Sequence, residues 1–339
     1  MKICMVSNSE YYDSRPNRYA LSLIEKGHSV DMICLGDRNH SRYEIINGIH
    51  TYLIQTRQYD KKSPLSYLKN LIFFFFQSAF ICTKLHLEKR YDIIHFHNIP
   101  DFGVFCTLVP KLMGAKVILD IHDVVPEFYM RKFSVPEKNV VIRLLKWIEK
   151  VSSSYADHVI TVTDIWRDRL IERSVSPSKC SVILNAPHGK LFMPIKKSKQ
   201  NNGVFTLSYH GNLKEPTGID VAIRAVGIAK KTIPSIRFQI IGGNGSADKN
   251  LKKLIGDLRI TKNVRLMKAI SVEKISGFIG LADVGIDPKQ GGVYAGETLS
   301  VKAMEYIAMQ IPLIASRTMA SQTYFNDSMV MFFEPGDEK

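Results

Sequence analysis

The stretch ADVGIDPKQGGVYAGETLSVKAMEYIAMQIPLIAS, from Ala282 to Ser316, decides how the chain is read. It divides into a buried strand from Val284 to Asp287, a glycine-containing loop, a helix starting near Ser300, and a second buried strand from Pro312 to Ala315. In an open parallel sheet such a loop lies outside the carboxyl end of its strand, where ligands bind. Two glutamates mark it. Glu297 precedes the helix, whereas Glu305 falls about five residues into it, roughly 7 Å from its start at 1.5 Å per residue. The first-turn N–H groups after Thr298, Leu299 and Ser300 lack intrahelical partners and carry the positive end of the helix dipole, which suits a diphosphate. A ribose attached to that diphosphate would reach the second turn, where Glu305 could accept bonds from both hydroxyls. Glu297 would then face the group beyond the diphosphate.

A strand ending A-D-V-G-I-D-P, then E-x(7)-E, then E-Y-x-A-x-x-x-P-L-I-A-S resembles the donor site of family 4 of the retaining glycosyltransferases. Two glutamates at this spacing also occur in ordinary helical proteins; the strand, the glycines and I-P-L-I-A-S in register give the pair its meaning. The resemblance implies an α/β protein of the GT-B fold, two facing Rossmann-like domains with parallel sheets and an interdomain cleft. It also implies transfer of a sugar from a nucleotide diphosphate sugar to an acceptor, with the anomeric configuration kept and with no metal or other cofactor. The setting would be cell-surface glycan synthesis, either polysaccharide or lipid-linked oligosaccharide.

Composition agrees with two soluble α/β domains. The 339 residues are 45% hydrophobic, an ordinary share for globular chains. Cys4, Cys34, Cys82, Cys106 and Cys180 are scattered through apolar runs without a C-x-x-C pair, which argues for reduced thiols in a cytoplasmic protein. The start, KICMVS, is a short strand without a secretory cleavage pattern. The net charge of +14 is shared by both halves and forms no nucleic-acid stripe. A surface drawn to anionic lipid or to phosphorylated substrates is one reading, and a merely basic soluble protein is the other.

Along the first half, Lys2 to Ser7 reads as the first strand. It is followed by SNSEYYDSRPNR where a dinucleotide-binding domain would show G-x-G-x-x-G. A helix is expected from Pro16 to Lys26, closed by Gly27, and a strand from His28 to Leu35. The run R-x-A-L-x-L-x-x-x-G-H-x-V, Arg18 to Val30, resembles the family's opening βαβ unit without its usual glycine pair. Asp13, Arg15 and Arg18 are candidates for acceptor contact by position. Leu65 to Leu87 reads as a helix carrying NLIFFFFQSAFIC, a run too short for the roughly 20 residues a bilayer crossing needs. Lys61, Lys62, Lys69, Lys84, Lys89 and Arg90 surround it, so an in-plane contact with an inner membrane face and a buried helix are both open. A second basic helix is expected from Glu137 to Ser154. DIIHFHN and KVILDIHD read as strands; His95, His97 and His122 lie near their ends, but no third ligand spacing for a metal is evident. D-I-H-D-V-V-P-E, Asp120 to Glu127, resembles the motif that brings a histidine to the donor sugar, and His122 matches it. Asp123 and Glu127 match further positions.

The domains are expected over 1–187 and 203–339, joined by a linker of lysine, asparagine and proline. The second opens with TLSYHGNLKEPTG, where the family has G-R-L followed by K-G. Gly211 keeps its place, but the Arg position is Asn212 and the Lys position is Thr217. Either Lys214 supplies the charge for the diphosphate, or Lys302 does, or backbone N–H groups suffice. RFQIIGG ends at Gly243 in the family's turn near the nucleobase. Family members usually continue past P-G-D with helices that cross back onto the first domain, so the end at Lys339 reads as incomplete. A nucleotide-sugar 2-epimerase and a catalytically silent partner subunit of the same fold are the rival functions.

Overall fold

The structure is a computed structural model that describes residues 1–11, 14–36, 42–56, 64–187, 189–195, 203–213, 217–243, 246–292 and 295–339. The chain divides into two compact units, Met1–Leu184 and Asn185–Lys339. Phe192, inside the expected linker, is 3% exposed and packs on Ile279 and Tyr306, so this part of the segment belongs to the core of the second unit.

The first unit runs β1 (Lys2–Glu10), α1 (Ser14–Glu25), β2 (Ser29–Gly36), β3 (Tyr43–Ile46), β4 (Ile49–Thr56), α2 (Pro64–Lys89), β5 (Ile93–His97), a 3₁₀ segment (Asp101–Thr107), α3 (Leu108–Leu112), β6 (Lys116–Ile121), α4 (Val125–Phe133), α5 (Val140–Tyr155), β7 (His158–Thr161), α6 (Asp164–Arg173) and β8 (Cys180–Val182). Its sheet has the order β3-β4-β2-β1-β5-β6-β7-β8, and every pair is parallel except β3 with β4. Its strands are apolar almost throughout because helices cover both faces. Side chains alternate between two cores: Cys4, Val6 and Ile33 face α2, whereas Ile3, Met5 and Met32 face α1. The hairpin β3–β4 is not among the elements expected from the sequence. Its signal is Asn47-Gly48, with φ of 52° and 80°, the turn dipeptide that tolerates two positive φ angles in succession.

The second unit runs β9 (Thr206–His210), α7 (Ile219–Ala229), β10 (Arg237–Gly243), α8 (Ser246–Asp257), β11 (Val264–Lys268), α9 (Val272–Ile279), β12 (Val284–Asp287), α10 (Val301–Ala308), β13 (Leu313–Ser316), α11 (Met319–Tyr324) and β14 (Met331–Phe333). Its sheet is parallel throughout, in the order β11-β10-β9-β12-β13-β14. Strand order reverses between β1 and β5 in the first sheet and between β9 and β12 in the second. Outside the carboxyl ends of these pairs a ligand crevice forms.

Glu127, which matched a family motif in the sequence, has a structural partner. Arg173 on α6 donates to both Glu127 oxygens at 2.6 and 3.0 Å and to both oxygens of Glu149, on α5, at 2.9 and 2.7 Å. The Glu127 side chain is 5% exposed and that of Glu149 is fully buried, so one guanidinium ties α4, α5 and α6 together. Arg173→Met takes the shared guanidinium from two buried carboxylates, with Arg169, 3.9 Å from Glu127, as a remaining cation. We expect it to lower unfolding free energy by about 3–5 kcal/mol in urea denaturation; a loss below about 1 kcal/mol would mean that the carboxylates find other partners.

Candidate functional site

In the second unit, β9 and β12 end side by side and α10 starts above them. His210 at the end of β9 contacts Glu305 on α10, Nε2 to Oε2 at 2.5 Å. Its Nδ1 lies 3.2 Å from the Tyr306 hydroxyl, which itself donates to the Ser208 carbonyl at 2.9 Å. That hydroxyl has spent its only proton, so Nδ1–H is the donor to it. Glu305 is 8% exposed. The sequence places this carboxylate opposite a ribose diol, and in the structure His210 already engages its Oε2.

Lys302 lies one turn earlier on α10. Its Nζ is 3.4 Å from Asp287 Oδ1 at the end of β12, 3.4 Å from the Tyr209 hydroxyl and 4.8 Å from the centre of that ring. Burial works against its charge, but Asp287 and Tyr209 outweigh burial and raise its pKa above the ordinary lysine value. The lysine stem crosses Gly211, whose φ is +117° and where an added Cβ would come 3.2 Å from Lys302 Cδ. At Gly242 a Cβ would meet the Gly211 carbonyl oxygen at 1.8 Å, so the ends of β9 and β10 close up only with glycine at that position. Gly243 ends β10 beside them. The backbone oxygen of Asn212 accepts the Tyr209 hydroxyl at 2.5 Å, and Lys214 lies outside the described residues.

The loop before α10 is held from two sides. Gly296 donates to Gly292 at 2.7 Å and accepts from Ala320 at 2.9 Å, which fixes the backbone next to Glu297, itself 5% exposed. Lys289 donates to the Thr298 carbonyl at 2.6 Å and to its hydroxyl. Thr298, Leu299 and Ser300 line a narrow crevice with Asp287 and Lys289. The first turn of α10 is partly capped by the protein: Ser300 Oγ accepts from Ala303 N at 3.5 Å. That corrects the expectation of a fully unpartnered first turn. His210, Tyr209 and Lys289 escaped sequence reasoning; for His210 the available signal was its place at a strand end beside the reversal of strand order.

In the first unit, a cavity of about 280 Å³ opens at the carboxyl ends of the strands flanking β1 and β5. Asn8, Gln55, Thr56, Asn70, His122 and Asp123 line it. Asn98 positions the last two: its Oδ1 accepts from His122 N and Asp123 N at 3.1 and 3.3 Å, and its Nδ2 donates to the Asp123 carbonyl at 2.7 Å. His122 Nδ1 is buried without a hydrogen-bond partner. The three residues proposed for acceptor contact fare differently. Asp13 lies outside the described residues, and Arg18 is half-buried and does not line the cavity. Arg15 is 4% exposed and faces inward, its Nε and Nη2 donating to Asp120 Oδ2 and Oδ1 at 2.9 and 3.0 Å. Its guanidinium is committed to a buried carboxylate, so acceptor contact is the wrong role for it.

Asp120 also accepts from His97 Nδ1 at 3.1 Å, and His95 stacks on His97 with ring centres 4.2 Å apart. His95, His97 and Asp120 present three possible ligand atoms within 4.8 Å of one another. The third ligand that the spacing did not reveal is therefore Asp120 rather than His122. The donor set does not fit a metal, because Arg15 already occupies both Asp120 oxygens and brings the positive charge itself. Burial alone would raise the Asp120 pKa; His97 and Arg15 outweigh it and hold the carboxyl well below the usual carboxylate range.

Residues 18–186 match the family described as Glycosyltransferase Family 4, and residues 194–337 match Glycosyl transferases group 1. Among curated proteins, the chain is 23% identical over 274 residues to the phosphatidylinositol N-acetylglucosaminyltransferase GPI3 subunit of Saccharomyces cerevisiae, covering 77% of this chain and 56% of that one. It is 23% identical over 233 residues to the chitobiosyldiphosphodolichol beta-mannosyltransferase of Candida glabrata, covering 68% and 48%. The chain thus spans about half the length of these curated relatives. Among solved structures, sucrose-phosphate synthase from Thermosynechococcus elongatus superposes with a TM-score of 0.74 at 17% identity, covering 100% of this chain and 87% of that one. HepE of Anabaena in complex with UDP superposes at 0.71 and 14% identity, with the same coverage, and shares the fold.

The buried charges of the first unit make stability depend on pH. His95 is held well below its ordinary value of 6.5, mainly by burial and by His97. Below about pH 6.5 the unfolded chain binds a proton there that the folded chain refuses, so this contribution is complete above that pH and is lost on acidification. Asp101 has the opposite sign: burial and the Glu149 charge push its carboxyl up to about 7, so its contribution is present in acid and lost as pH rises through that value. Comparing the parent with His95→Gln isolates the histidine. The stability difference between them should shift by about 1 kcal/mol in favour of the variant between pH 7 and about pH 5.5, measured by urea unfolding. A pH-independent difference would show that the ring is not held neutral.

Proposed function

The chain belongs to family 4 of the glycosyltransferases, of the GT-B type, and from that membership we propose that it moves a sugar from a nucleoside diphosphate sugar to a hydroxyl acceptor with retention of anomeric configuration. The observation that carries the reading is the group at the ends of β9 and β12: Lys302 lying across Gly211 beside Asp287, with Glu305 on His210 one turn further along α10. A cation kept charged by a neighbouring carboxylate suits the diphosphate. A carboxylate in the second turn suits the ribose hydroxyls, through the oxygen that His210 leaves open. HepE, of like fold, is known in complex with UDP and with UDP-glucose, which supports a nucleoside diphosphate sugar as donor class.

In this reading the bond from the anomeric carbon to the diphosphate oxygen breaks as the bond to the acceptor oxygen forms on the same face. The acceptor proton passes to the departing diphosphate, so no separate carboxylate base is required. Lys302 and the N–H groups of the α10 turn meet the negative charge that grows on the diphosphate, and Glu297 meets the positive charge on the sugar. Metal is not needed for any of these steps. The polar cavity of the first unit, with His122 and Asp123 on its wall, takes the hydroxyl-bearing head of the acceptor. The two curated relatives are named for lipid-borne acceptors, a phosphatidylinositol and a dolichol diphosphate sugar, and this supports a lipid-linked glycan acceptor here.

Two substitutions and a chelator test the reading. Glu305→Gln removes a charge-assisted acceptor worth about 1.5–3 kcal/mol, so nucleoside diphosphate affinity by calorimetry should fall roughly 10- to 100-fold, with the effect on turnover appearing in donor KM. Glu297→Gln should lower kcat while nucleoside diphosphate binding stays within about twofold. If both variants bind and turn over like the parent, this end of the second sheet is not the donor site. Turnover should persist in excess chelator; loss that Mn²⁺ or Mg²⁺ restores would overturn the metal-free mechanism.

A further inference from the structure

α2 buries one side and exposes a regular row on the other. Phe74, Cys82 and Leu85 enter the core against the first sheet, whereas Phe73, Phe76 and Phe80 are 56%, 64% and 69% exposed. Lys69 and Lys84 are exposed at the two ends of that row, and the steps 69, 73, 76, 80 and 84 keep all five residues on one face of the helix. The 3₁₀ segment and α5 lie in the same layer as α2, joined by ring contacts of Phe75 with Phe102 and of Phe105 with Tyr155. Exposed apolar side chains lie on α3 and α5 too: Leu112 on α3 is 79% exposed and Trp147 on α5 61%. Around Trp147, Arg143 and Lys150 are exposed on α5, as are Arg131 and Lys132 at the end of α4. Monomeric proteins rarely expose aromatic groups in rows of this kind.

We propose that this face of the first unit, α2 with α3 and α5, lies flat on an anionic membrane surface. The inference rests on the surface alone and not on the proposed reaction. Three aromatic side chains in line insert below the headgroups while the bracketing lysines reach up along their stems to anionic phosphates. Basic residues on the neighbouring helices add to the attraction. A second copy of the chain is a poor occupant, because a two-fold contact through this face would set lysines and arginines against one another. α2 is also long and apolar enough to cross a bilayer, over Ser66–Lys89, which corrects the sequence expectation of too short an apolar element. Its inner side argues for lying in the surface rather than crossing. Spanning would strip Phe74, Cys82 and Leu85 from the core that they share with Val6, Ile94 and Phe96.

Flotation with vesicles of phosphatidylcholine and phosphatidylglycerol tests this with the full chain. The parent should float with the mixed vesicles, weakly with phosphatidylcholine alone, and be released by salt or alkaline carbonate. Phe73→Ser/Phe76→Ser/Phe80→Ser and Lys69→Glu/Lys84→Glu should each lower binding at least about tenfold with an unchanged unfolding midpoint, since all five side chains are exposed. Trp147 emission should shift to the blue on vesicles, with Trp166, 1% exposed, a constant background. The proposal is overturned if the parent does not float, if the serine variant floats like the parent, or if the parent resists carbonate extraction. It is also overturned if these substitutions instead dissociate a dimer in sedimentation, which would make a second copy the occupant.

Discussion

In each unit a strand-end aspartate, withdrawn from water, is held by a cation from a helix, and the loops of the candidate site hang from these two pairs. Asp120 at the end of β6 has no exposed surface and is gripped by Arg15 of α1. Asp287 at the end of β12 faces Lys302 of α10. A carboxylate so placed is tolerable only with its partner present, since the desolvation of an unpaired charge amounts to several kcal/mol. The requirement fixes geometry. Arg15 docks α1 over the carboxyl edge of the first sheet, and the chain leaves Asp120 directly into His122 and Asp123. Lys302 orients α10 over the second sheet, and Glu305 follows one turn later.

The same pairing explains how the second unit accommodates Asn212 and Thr217 where the family carries Arg and Lys. Among the described residues a positive charge is still present, carried by Lys302 of the helix. The glycines at 211 and 242 give the lysine stem its path, for a side chain at either position would collide with Lys302 or with the neighbouring backbone. Charge that arrives along a helix is held more rigidly than charge on a loop, because Tyr209 and Asp287 bracket the ammonium from two strands.

Most strands and several helices were legible because buried parallel strands are written as apolar runs and helix starts carry their own caps, as Ser300 does. Glu297, Glu305 and Lys302 were singled out because they sit beside those signals, and His122 because D-I-H-D-V-V-P-E resembles the family's motif. What escaped the sequence depends on pairing between distant residues. Nothing local says that Arg15 turns inward to meet a carboxylate 105 positions later. Likewise nothing local says that Glu305 is met by His210 or that Asn98 holds the loop of His122. Such partners become neighbours only through strand order, and strand order is a property of the whole sheet. The Asn47-Gly48 hairpin was a different kind of omission, since its turn chemistry is local and readable.

α2 connects the two proposals physically. Tyr67, Asn70 and Leu71 near its start line the cavity that would take the acceptor head, while Phe73, Phe76 and Phe80 face outward. From Tyr67 to Phe80 the helix rises about 20 Å at 1.5 Å per residue, a distance that runs along the surface when the helix lies in it. The cavity-lining residues and the aromatic row thus occupy different faces of one helix. An acceptor anchored by a lipid tail could then present its sugar to His122 and Asp123 without leaving the bilayer. A soluble acceptor gains nothing from that arrangement, so the two proposals support one another: a membrane that holds the lipid tail would supply binding energy that a small polar cavity cannot.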